Sequence, residues 1–201
     1  MTFALYLITD PSSARVVEIT EAALSAAPPG AIAVQARMKG ASARELAELC
    51  RALAPICRAR GATLLVNDRA DVAKVVGASG VHLPERGLSV AEARMVLGSG
   101  ALVGRSCHDR AGLEGAEREG ADLATLGPIG EVPEKGAPLG ISGFQAIVRG
   151  LSIPTYALGG VGEADARALR AAGAAGVAVI RAVYGASDPA RAVQGLLGSA
   201  S

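Results

Sequence analysis

Short runs of aliphatic residues alternate along this chain with longer segments in which apolar residues recur every three or four positions. Eight such runs occur, at residues 4–9, 31–37, 63–67, 80–83, 101–106, 123–126, 154–158 and 176–180. Each run is continuously apolar, as expected for a strand that is covered on both faces. The segments between them, such as 42–60 and 163–173, have the apolar period of helices. The pattern therefore predicts a strand followed by a helix, eight times over.

Eight strand–helix units in 201 residues favour one domain, 1–201, folded as an α/β protein of the (β/α)8 TIM-barrel type. The alternative is an open doubly wound sheet, which normally has a glycine-rich loop after its first strand. Here "DPSSAR" follows the first strand and contains no glycine, so the barrel is the predicted fold. Pro55 lies inside the longest helical pattern, and we expect it to bend or split that helix.

Composition narrows the possible partners. Lys plus Arg number 20 and Asp plus Glu 19, and only 2% of residues are aromatic, so neither charge nor base stacking favours binding to nucleic acid or to an anionic membrane. No apolar run approaches the ~20 residues that span a bilayer, and the N-terminus does not resemble a signal peptide. The three cysteines include no C-x-x-C pair. We therefore expect a cytoplasmic protein.

Polar side chains concentrate where the predicted strands end, which is the edge of a barrel that carries the active site. The residues concerned are Asp10, Gln35, Arg37, Lys39, Asn67, Asp68, His82, Glu85, Ser106, His108, Lys135, Gly159, Gly160 and Arg181. The strand interiors are aliphatic, so this concentration is typical of a functional site.

Two of these positions suggest anion binding. Arg37 and Lys39 are two residues apart, so on an extended chain their side chains point the same way, and they suit a phosphate or diphosphate. The alternative is a pair of solvated cations.

Asn67 and Asp68 follow the third strand, where they could act in catalysis, cap the next helix, or do both.

A second anion site is predicted after the last two strands. Gly159 and Gly160 end the seventh strand before a helix, where free backbone N–H groups and the helix dipole favour phosphate. Ile180 and Arg181, after the eighth strand, would complete this pocket, because barrels often bind phosphate there. The alternative is simple close packing of the loop on the helix.

The remaining candidates are proton-transfer groups and a loop lysine. His108 lies two residues after Ser106 and so on the same side, which makes it a candidate general acid or base. His82 lies within its strand and is expected to make a local hydrogen bond. Lys135 belongs to the loop 127–140, which is long enough to act as a flexible flap, although it could equally be a solvated loop lysine.

The motifs "YLITD", "VQARMK", "LLVNDRADVA", "GVHLPERG", "GRSCH", "LGPI" followed by Lys135, "ALGGV" and "GAAGVAVIRA" occur in that order between about Leu5 and Val183. Together they resemble the superfamily of thiamine-phosphate synthases and thiazole tautomerases (TenI). The resemblance implies a TIM barrel that acts on the thiazole phosphate of thiamine biosynthesis.

For the synthase, the resemblance implies a reaction that joins thiazole phosphate to an aminopyrimidine diphosphate and releases diphosphate with Mg²⁺. Asp68 would be a metal ligand in that case. The implied substrate-binding residues are Gln35, Arg37, Lys39, Asn67, Asp68, Ser106 and Lys135, with Gly160 and Ile180 at the thiazole phosphate.

The chain departs from the synthase pattern at five positions. The synthase motif "HLGQ-x-D" has its second magnesium carboxylate where this chain has Gly87, and Glu85 replaces the glutamine. Val132 and Glu134 stand where the flap usually has two threonines, and Arg181 replaces a serine. The loss of the carboxylate and of the two hydroxyls, with Glu134 added near the diphosphate, is expected to weaken Mg²⁺ binding, unless Glu85 reaches in from two residues away.

Three hypotheses result. The leading one is a TenI-like thiazole tautomerase without a metal, in which His108 moves the proton and Arg37 and Lys39 hold a carboxylate or a second anion. The second is a thiamine-phosphate synthase with an altered Mg²⁺ site. The third is a non-catalytic protein that binds a phosphorylated metabolite. All three have a small-molecule partner, and the sequence is compatible with a homo-oligomer.

Overall fold

The computed structural model describes residues 3–133 and 135–198. Within them the chain closes into a barrel of eight parallel strands that follow one another in chain order. The strands are β1 (Leu5–Ile8), β2 (Ile32–Ala36), β3 (Thr63–Asn67), β4 (Gly80–Leu83), β5 (Leu102–Cys107), β6 (Leu123–Leu126), β7 (Thr155–Leu158) and β8 (Gly176–Val179). The predicted (β/α)8 barrel is confirmed, and the doubly wound alternative is excluded.

Helices cover the outside of this barrel. They are α1 (Val16–Ser25), α2 (Ala43–Ala59), α3 (Ala70–Val76), α4 (Val90–Leu97), α5 (Arg110–Arg118), α6 (Gly140–Val148), α7 (Glu163–Ala171), α8 (Arg181–Tyr184) and α9 (Pro189–Leu197). Helices α2 and α4 begin with reciprocal capping boxes, in which Ser42 pairs with Glu45 and Ser89 with Glu92. Among the described residues, no helix is both long and apolar enough to cross a membrane.

Pro55 does not split α2, which runs unbroken from Ala43 to Ala59. Proline removes one helical hydrogen bond and leaves the carbonyl four residues earlier, that of Arg51, without its donor. Both residues are on the exposed side of the helix, where water can satisfy that carbonyl. The prediction of a split was therefore wrong because the defect faces solvent.

The barrel interior has an aromatic lower layer. Phe3 and Tyr156 stack with ring centroids 4.6 Å apart, and Tyr6 packs against both rings. Aliphatic side chains fill the space between sheet and helices, together with Cys50 and Cys57, which are free and buried. Burial raises the pKa of each of these two thiols to about 11, as expected for cysteines that pack as small apolar residues.

Above the aromatic layer the interior becomes polar. Strand pairing aligns Asn67 with His82 and Ser106 with Thr125, and alternation along each strand turns these side chains inward. Gln35 of β2 belongs to the same layer and is buried. This polar layer forms the floor of the active-site end of the barrel.

At the opposite end of the barrel, Arg94 links several loops by hydrogen bonds. Its guanidinium donates hydrogen bonds of 2.9 to 3.0 Å to the carbonyls of Ser99, Ala101 and Gly120 and to the carboxylate of Asp122. Asp122 also accepts a bond from the backbone N–H of Val103. This network closes the loops that lead into β5 and β6.

We predict that Arg94→Lys lowers the free energy of unfolding by about 1–3 kcal/mol, because an ammonium cannot reproduce the planar fork of four bonds and leaves carbonyls without donors. Arg15→Lys is the matched control, since Arg15 pairs with Glu18 in solvent and such pairs contribute little. Denaturant unfolding of both variants measures the difference. Equal unfolding midpoints would contradict the role assigned to Arg94.

Candidate active site

A cavity of about 700 Å³ opens at the C-terminal ends of the strands. Most of the site residues predicted from the sequence line it: Gln35, Arg37, Lys39, Asn67, Asp68, His82, Glu85, Ser106, His108, Lys135, Gly159 and Ile180. In its described lining, five cationic side chains face two carboxylates. In a chain of net charge +1, this excess of positive charge favours an anionic ligand.

Arg37 is held at the mouth of this cavity by its backbone. The Thr9 hydroxyl accepts a hydrogen bond from the Arg37 N–H at 2.8 Å and donates one to the Arg37 carbonyl at 2.9 Å. The Arg37 guanidinium has no hydrogen bond or ion pair with any other described residue. Burial lowers the pKa of Arg37 and nearby Asp10 opposes that effect, but an arginine stays charged in proteins. Its fork is therefore free to bind an anion.

The Gln35 side chain is oriented by a hydrogen bond to a residue beneath it in the barrel. Its amide nitrogen donates to the Tyr6 hydroxyl at 2.9 Å, and burial raises the pKa of Tyr6, so that hydroxyl stays protonated. The Gln35 side chain is only 2% exposed and lines the cavity floor. Its carbonyl oxygen is consequently the end of the amide that a ligand could contact.

Asn67 and Asp68 do not cap the following helix. Helix α3 has Arg69 at its N-cap and no side-chain cap bond, so the capping alternative is wrong. Asp68 has a left-handed backbone with φ 63°, a conformation that aspartate tolerates better than most residues. The Asp68 N–H donates to the His82 carbonyl at 2.9 Å, which fixes the turn, while its carboxylate borders the cavity.

The turn after β4 explains the missing second carboxylate. The Gly87 N–H donates to the Pro84 carbonyl at 3.0 Å, which closes a tight turn over Pro84, Glu85 and Arg86. A Cβ atom at position 87 would lie 2.8 Å from the Pro84 ring. The turn therefore excludes an aspartate at 87 in its present form, and Glu85 is the acid that this turn places at the cavity.

His108 lies at the rim with one ring nitrogen engaged. Its Nδ1 is 2.8 Å from the Gly127 carbonyl, which can only accept, so Nδ1 carries the proton. Its Nε2 is 4.0 Å from a carboxylate oxygen of Glu85. The imidazole thus presents Nε2 as a base when neutral and as a donor when protonated.

His82 is buried below the rim. Its Nε2 lies 3.1 Å from the Ser106 hydroxyl and 3.5 Å from the Thr125 hydroxyl. The predicted local hydrogen bond of His82 is confirmed. Burial, with a smaller contribution from Arg105, lowers the pKa of His82 to about 3, so the ring is neutral near pH 7.

A second cavity of about 740 Å³ adjoins the first at the ends of β1, β7 and β8. It is lined by Gly159, Gly160, Ile180 and Arg181, the four residues predicted for a phosphate pocket. Gly159 and Gly160 have φ values of 91° and 67°, which favour glycine. A side chain at 160 would also meet the Gly130 backbone at 2.7 Å, so this loop packs tightly on the loop after β6.

The backbone around these glycines can donate hydrogen bonds. Within the described chain, the N–H groups of Gly160 and Val161 donate to no other residue. Arg181, which is exposed, adds a cation at the edge of the same cavity. The cavity therefore combines glycine N–H donors with a guanidinium.

The two cavities meet at Arg37, Val132, Leu158, Gly159 and Ile180, which line both. Lys39 and Lys135 are exposed at the rim of the first cavity. Glu134, expected to lie near them, is outside the described residues.

Thr9 and Thr125 were missed by sequence reasoning. For Thr125, the available signal was the alternation of inward-facing and outward-facing residues along its strand. No local pattern indicates the contact between Thr9 and Arg37.

Comparison with known proteins identifies the family of this chain. A family model described as thiamine monophosphate synthase matches residues 5–183. A putative thiamine-phosphate synthase of Geobacter sulfurreducens is 45% identical over 201 residues, covering 97% of this chain and 93% of that protein. The thiamine-phosphate synthase of Chlorobium luteolum is 42% identical over 171 residues, covering 84% and 81%.

A solved structure agrees as well. The thiamine phosphate pyrophosphorylase from Pyrococcus furiosus superposes with a TM-score of 0.86 at 34% identity, covering 96% of this chain and 93% of that one. The resemblance found in the sequence motifs is thus confirmed. The chain belongs to the thiamine monophosphate synthase family, and so to the enzymes of thiamine biosynthesis.

Proposed function

We propose that the protein is a thiamine-phosphate synthase, which joins thiazole phosphate to an aminopyrimidine diphosphate and releases diphosphate. The observation that carries this proposal is the pair of adjoining cavities with their shared wall at Arg37, Gly159 and Ile180. A reaction between two phosphorylated substrates needs two anion sites that open onto one another, and this arrangement supplies them. The names of the relatives, at 45% and 42% identity, favour the same reaction.

The first cavity is the proposed site of the aminopyrimidine diphosphate. Arg37 offers a bidentate fork, while Lys39 and Lys135 add point charges from the rim. Gln35 and Asn67 present amide groups suited to the edge of a pyrimidine ring. The thiazole phosphate would bind in the second cavity, on the N–H groups near Gly160 and on Arg181.

In the reaction, the bond from the aminopyrimidine to its diphosphate breaks and the diphosphate leaves with the electron pair. The thiazole nitrogen donates the pair that forms the new bond. The chain contributes by holding the two substrates in line across the shared wall, which lowers the entropic cost of their encounter. The cations at Arg37, Lys39 and Lys135 stabilise the charge that develops on the leaving diphosphate.

The residues present fit a Mg²⁺ ion that is completed by substrate. Asp68 keeps a carboxylate without a hydrogen-bond partner in the described chain, and it borders the same cavity as Glu85. Magnesium in such sites is held by one or two carboxylates together with substrate phosphates. Asp68 is therefore the proposed metal ligand, with Glu85 as the second acid. The chemistry supplied by bound Mg²⁺ is neutralisation of the diphosphate charge.

The preference for a TenI-like tautomerase gives way to this proposal. The tautomerase hypothesis depends on the missing acid at Gly87 and on the departures at Val132, Glu134 and Arg181. His108 matches the histidine of the tautomerase but is compatible with either enzyme. The turn at 84–87, however, places Glu85 at the cavity. The relatives named above carry synthase names. We therefore place His108 at the rim as a group that can hold or release a proton at Nε2.

The test is an assay of the purified protein with thiazole phosphate, aminopyrimidine diphosphate and Mg²⁺. We expect thiamine phosphate and diphosphate to form in equal amounts. Turnover of the unaromatised thiazole carboxylate phosphate, without thiamine phosphate formation, would instead favour the tautomerase. Binding of substrates without either reaction would leave a non-catalytic metabolite-binding protein.

For Arg37, we predict that Arg37→Met lowers kcat/KM for the aminopyrimidine diphosphate by about 10- to 100-fold, the loss expected for a charge-assisted hydrogen bond. Both KM and kcat should change, because the guanidinium binds the diphosphate in the ground state and also stabilises the charge that develops as it leaves. Arg51→Met removes an exposed cation of α2 and is the matched control. Equal kinetics for the two variants would exclude Arg37 from the site.

The turn at 84–87 generates another prediction. Gly87→Asp alone should not improve Mg²⁺ use, because its Cβ meets the Pro84 ring. The pair Pro84→Gly and Gly87→Asp removes that obstacle and adds a carboxylate, so the Mg²⁺ concentration for half-maximal activity should fall by about 10-fold.

Magnesium titrations of both variants, with thermal unfolding as a check on folding, measure this effect. A lower Mg²⁺ requirement in the single variant would show that Pro84 does not control position 87.

A further inference from the structure

His82 is the one side chain in the described structure with a buried polar atom that lacks a hydrogen-bond partner, its Nδ1. The residue is 2% exposed and lines the floor of the first cavity. Its other nitrogen, Nε2, lies 3.1 Å from the Ser106 hydroxyl and 3.5 Å from that of Thr125. The ring packs against Tyr6 with centroids 5.5 Å apart. The imidazole is therefore fixed on all sides, and one nitrogen must carry its single proton.

The surroundings of Nδ1 decide which nitrogen that is. A Cβ atom built on Gly104 would lie 2.5 Å from Nδ1, so a Cα–H bond of Gly104 points at this nitrogen. A bare nitrogen accepts such a contact as a weak hydrogen bond, whereas an N–H there would face another hydrogen and be a buried donor without an acceptor. At Nε2, by contrast, two hydroxyl oxygens are available as acceptors.

Burial and the nearby Arg105 also keep the ring from taking a second proton, since they lower the pKa of His82 to about 3. The neutral tautomer with its proton on Nε2 is the arrangement in which every contact of the ring is favourable. The geometry at Gly104, and not the charge state, selects between the two tautomers.

The tautomer controls what Ser106 can do. A serine hydroxyl has one hydrogen to donate and two lone pairs to accept with. If Nε2–H donates to Ser106, the hydroxyl hydrogen is free to turn into the cavity. If Nε2 were bare, Ser106 would donate downward to it and would present only lone pairs to a ligand, which repel an anionic oxygen.

We propose that His82 is a positioning residue that, through its Nε2–H group, makes Ser106 a hydrogen-bond donor to an oxygen of the diphosphate bound in the first cavity. This inference rests on the proposed function for the identity of that anion. The tautomer of His82 can be measured without a ligand and does not depend on the proposed function.

The tautomer is measured by nitrogen–hydrogen correlation spectra of the protein with ¹⁵N-labelled histidine. The chain has two histidines, so His82→Gln assigns both signals. We expect His82 to be neutral with its proton on Nε2 between about pH 5 and pH 8, while neutral His108 carries its proton on Nδ1 toward Gly127. A proton on Nδ1 of His82, or an imidazolium in this range, would overturn the proposal.

The effect on Ser106 is measured by calorimetric binding of inorganic diphosphate with Mg²⁺. His82→Met should weaken binding by about 10-fold, the scale of one hydrogen bond to a charged group, and His82→Gln, which keeps an N–H donor, should restore most of the affinity. In a Ser106→Ala background, His82→Met should have almost no further effect, because residues that act through one another are not additive.

Additive losses in the double variant would overturn the proposal and leave His82 with a packing role. The readout is separate from the proposed reaction. A protein that binds diphosphate with this coupling but forms no thiamine phosphate would contradict the synthase and leave the role of His82 intact. A protein that forms thiamine phosphate but shows no coupling between His82 and Ser106 would support the synthase and contradict the role of His82.

Discussion

Parallel pairing of eight strands in a closed ring is the constraint on which the rest of this molecule depends. In such a ring, residues two apart on each strand must point inward at fixed heights. Register then places Tyr6 and Tyr156 in an apolar layer, where Phe3, which precedes β1, packs against both rings. The polar side chains of β2 to β6 lie above this layer. The apolar layer keeps water out from below, so hydrogen bonds such as that between Gln35 and Tyr6 are made in a protected environment, where they fix side-chain orientation.

The chemistry of the site follows from the charged side chains that the barrel holds in place without a hydrogen-bond partner. Arg37 is held by its backbone through Thr9, which leaves the guanidinium free, and Asp68 is held by a strained turn, which leaves its carboxylate free. Strain and unpaired charge of this kind persist only where the surrounding structure imposes them, and they are typical of functional sites. Both groups line the first cavity, and this cavity shares a wall with the second, which is a geometry suited to joining two anionic molecules.

Much of this could be predicted from the sequence. The continuous aliphatic runs located all eight strands within a residue or two, because strands covered on both faces leave that pattern. Most of the polar residues predicted at the strand ends line the two cavities. The hydrogen bonds between Thr9 and Arg37 and the tautomer of His82 could not be predicted, since both depend on contacts between distant segments. The inward position of Thr125 follows from alternation along its strand and was overlooked. Gly87 shows the limit most clearly. The missing acid and the possible substitute Glu85 were visible in the sequence, but the close approach of the Pro84 ring to position 87 was not.

Simultaneous occupancy of two anion sites, which meet at Arg37 and Gly159, is what the proposed reaction requires. Its most direct test is a calorimetric titration of thiazole phosphate into the protein, first alone and then saturated with diphosphate and Mg²⁺. Simultaneous occupancy predicts that thiazole phosphate binds the saturated protein with the same or higher affinity. An apparent affinity that falls in proportion to the diphosphate concentration would mean that both ligands compete for one site, and it would contradict the account.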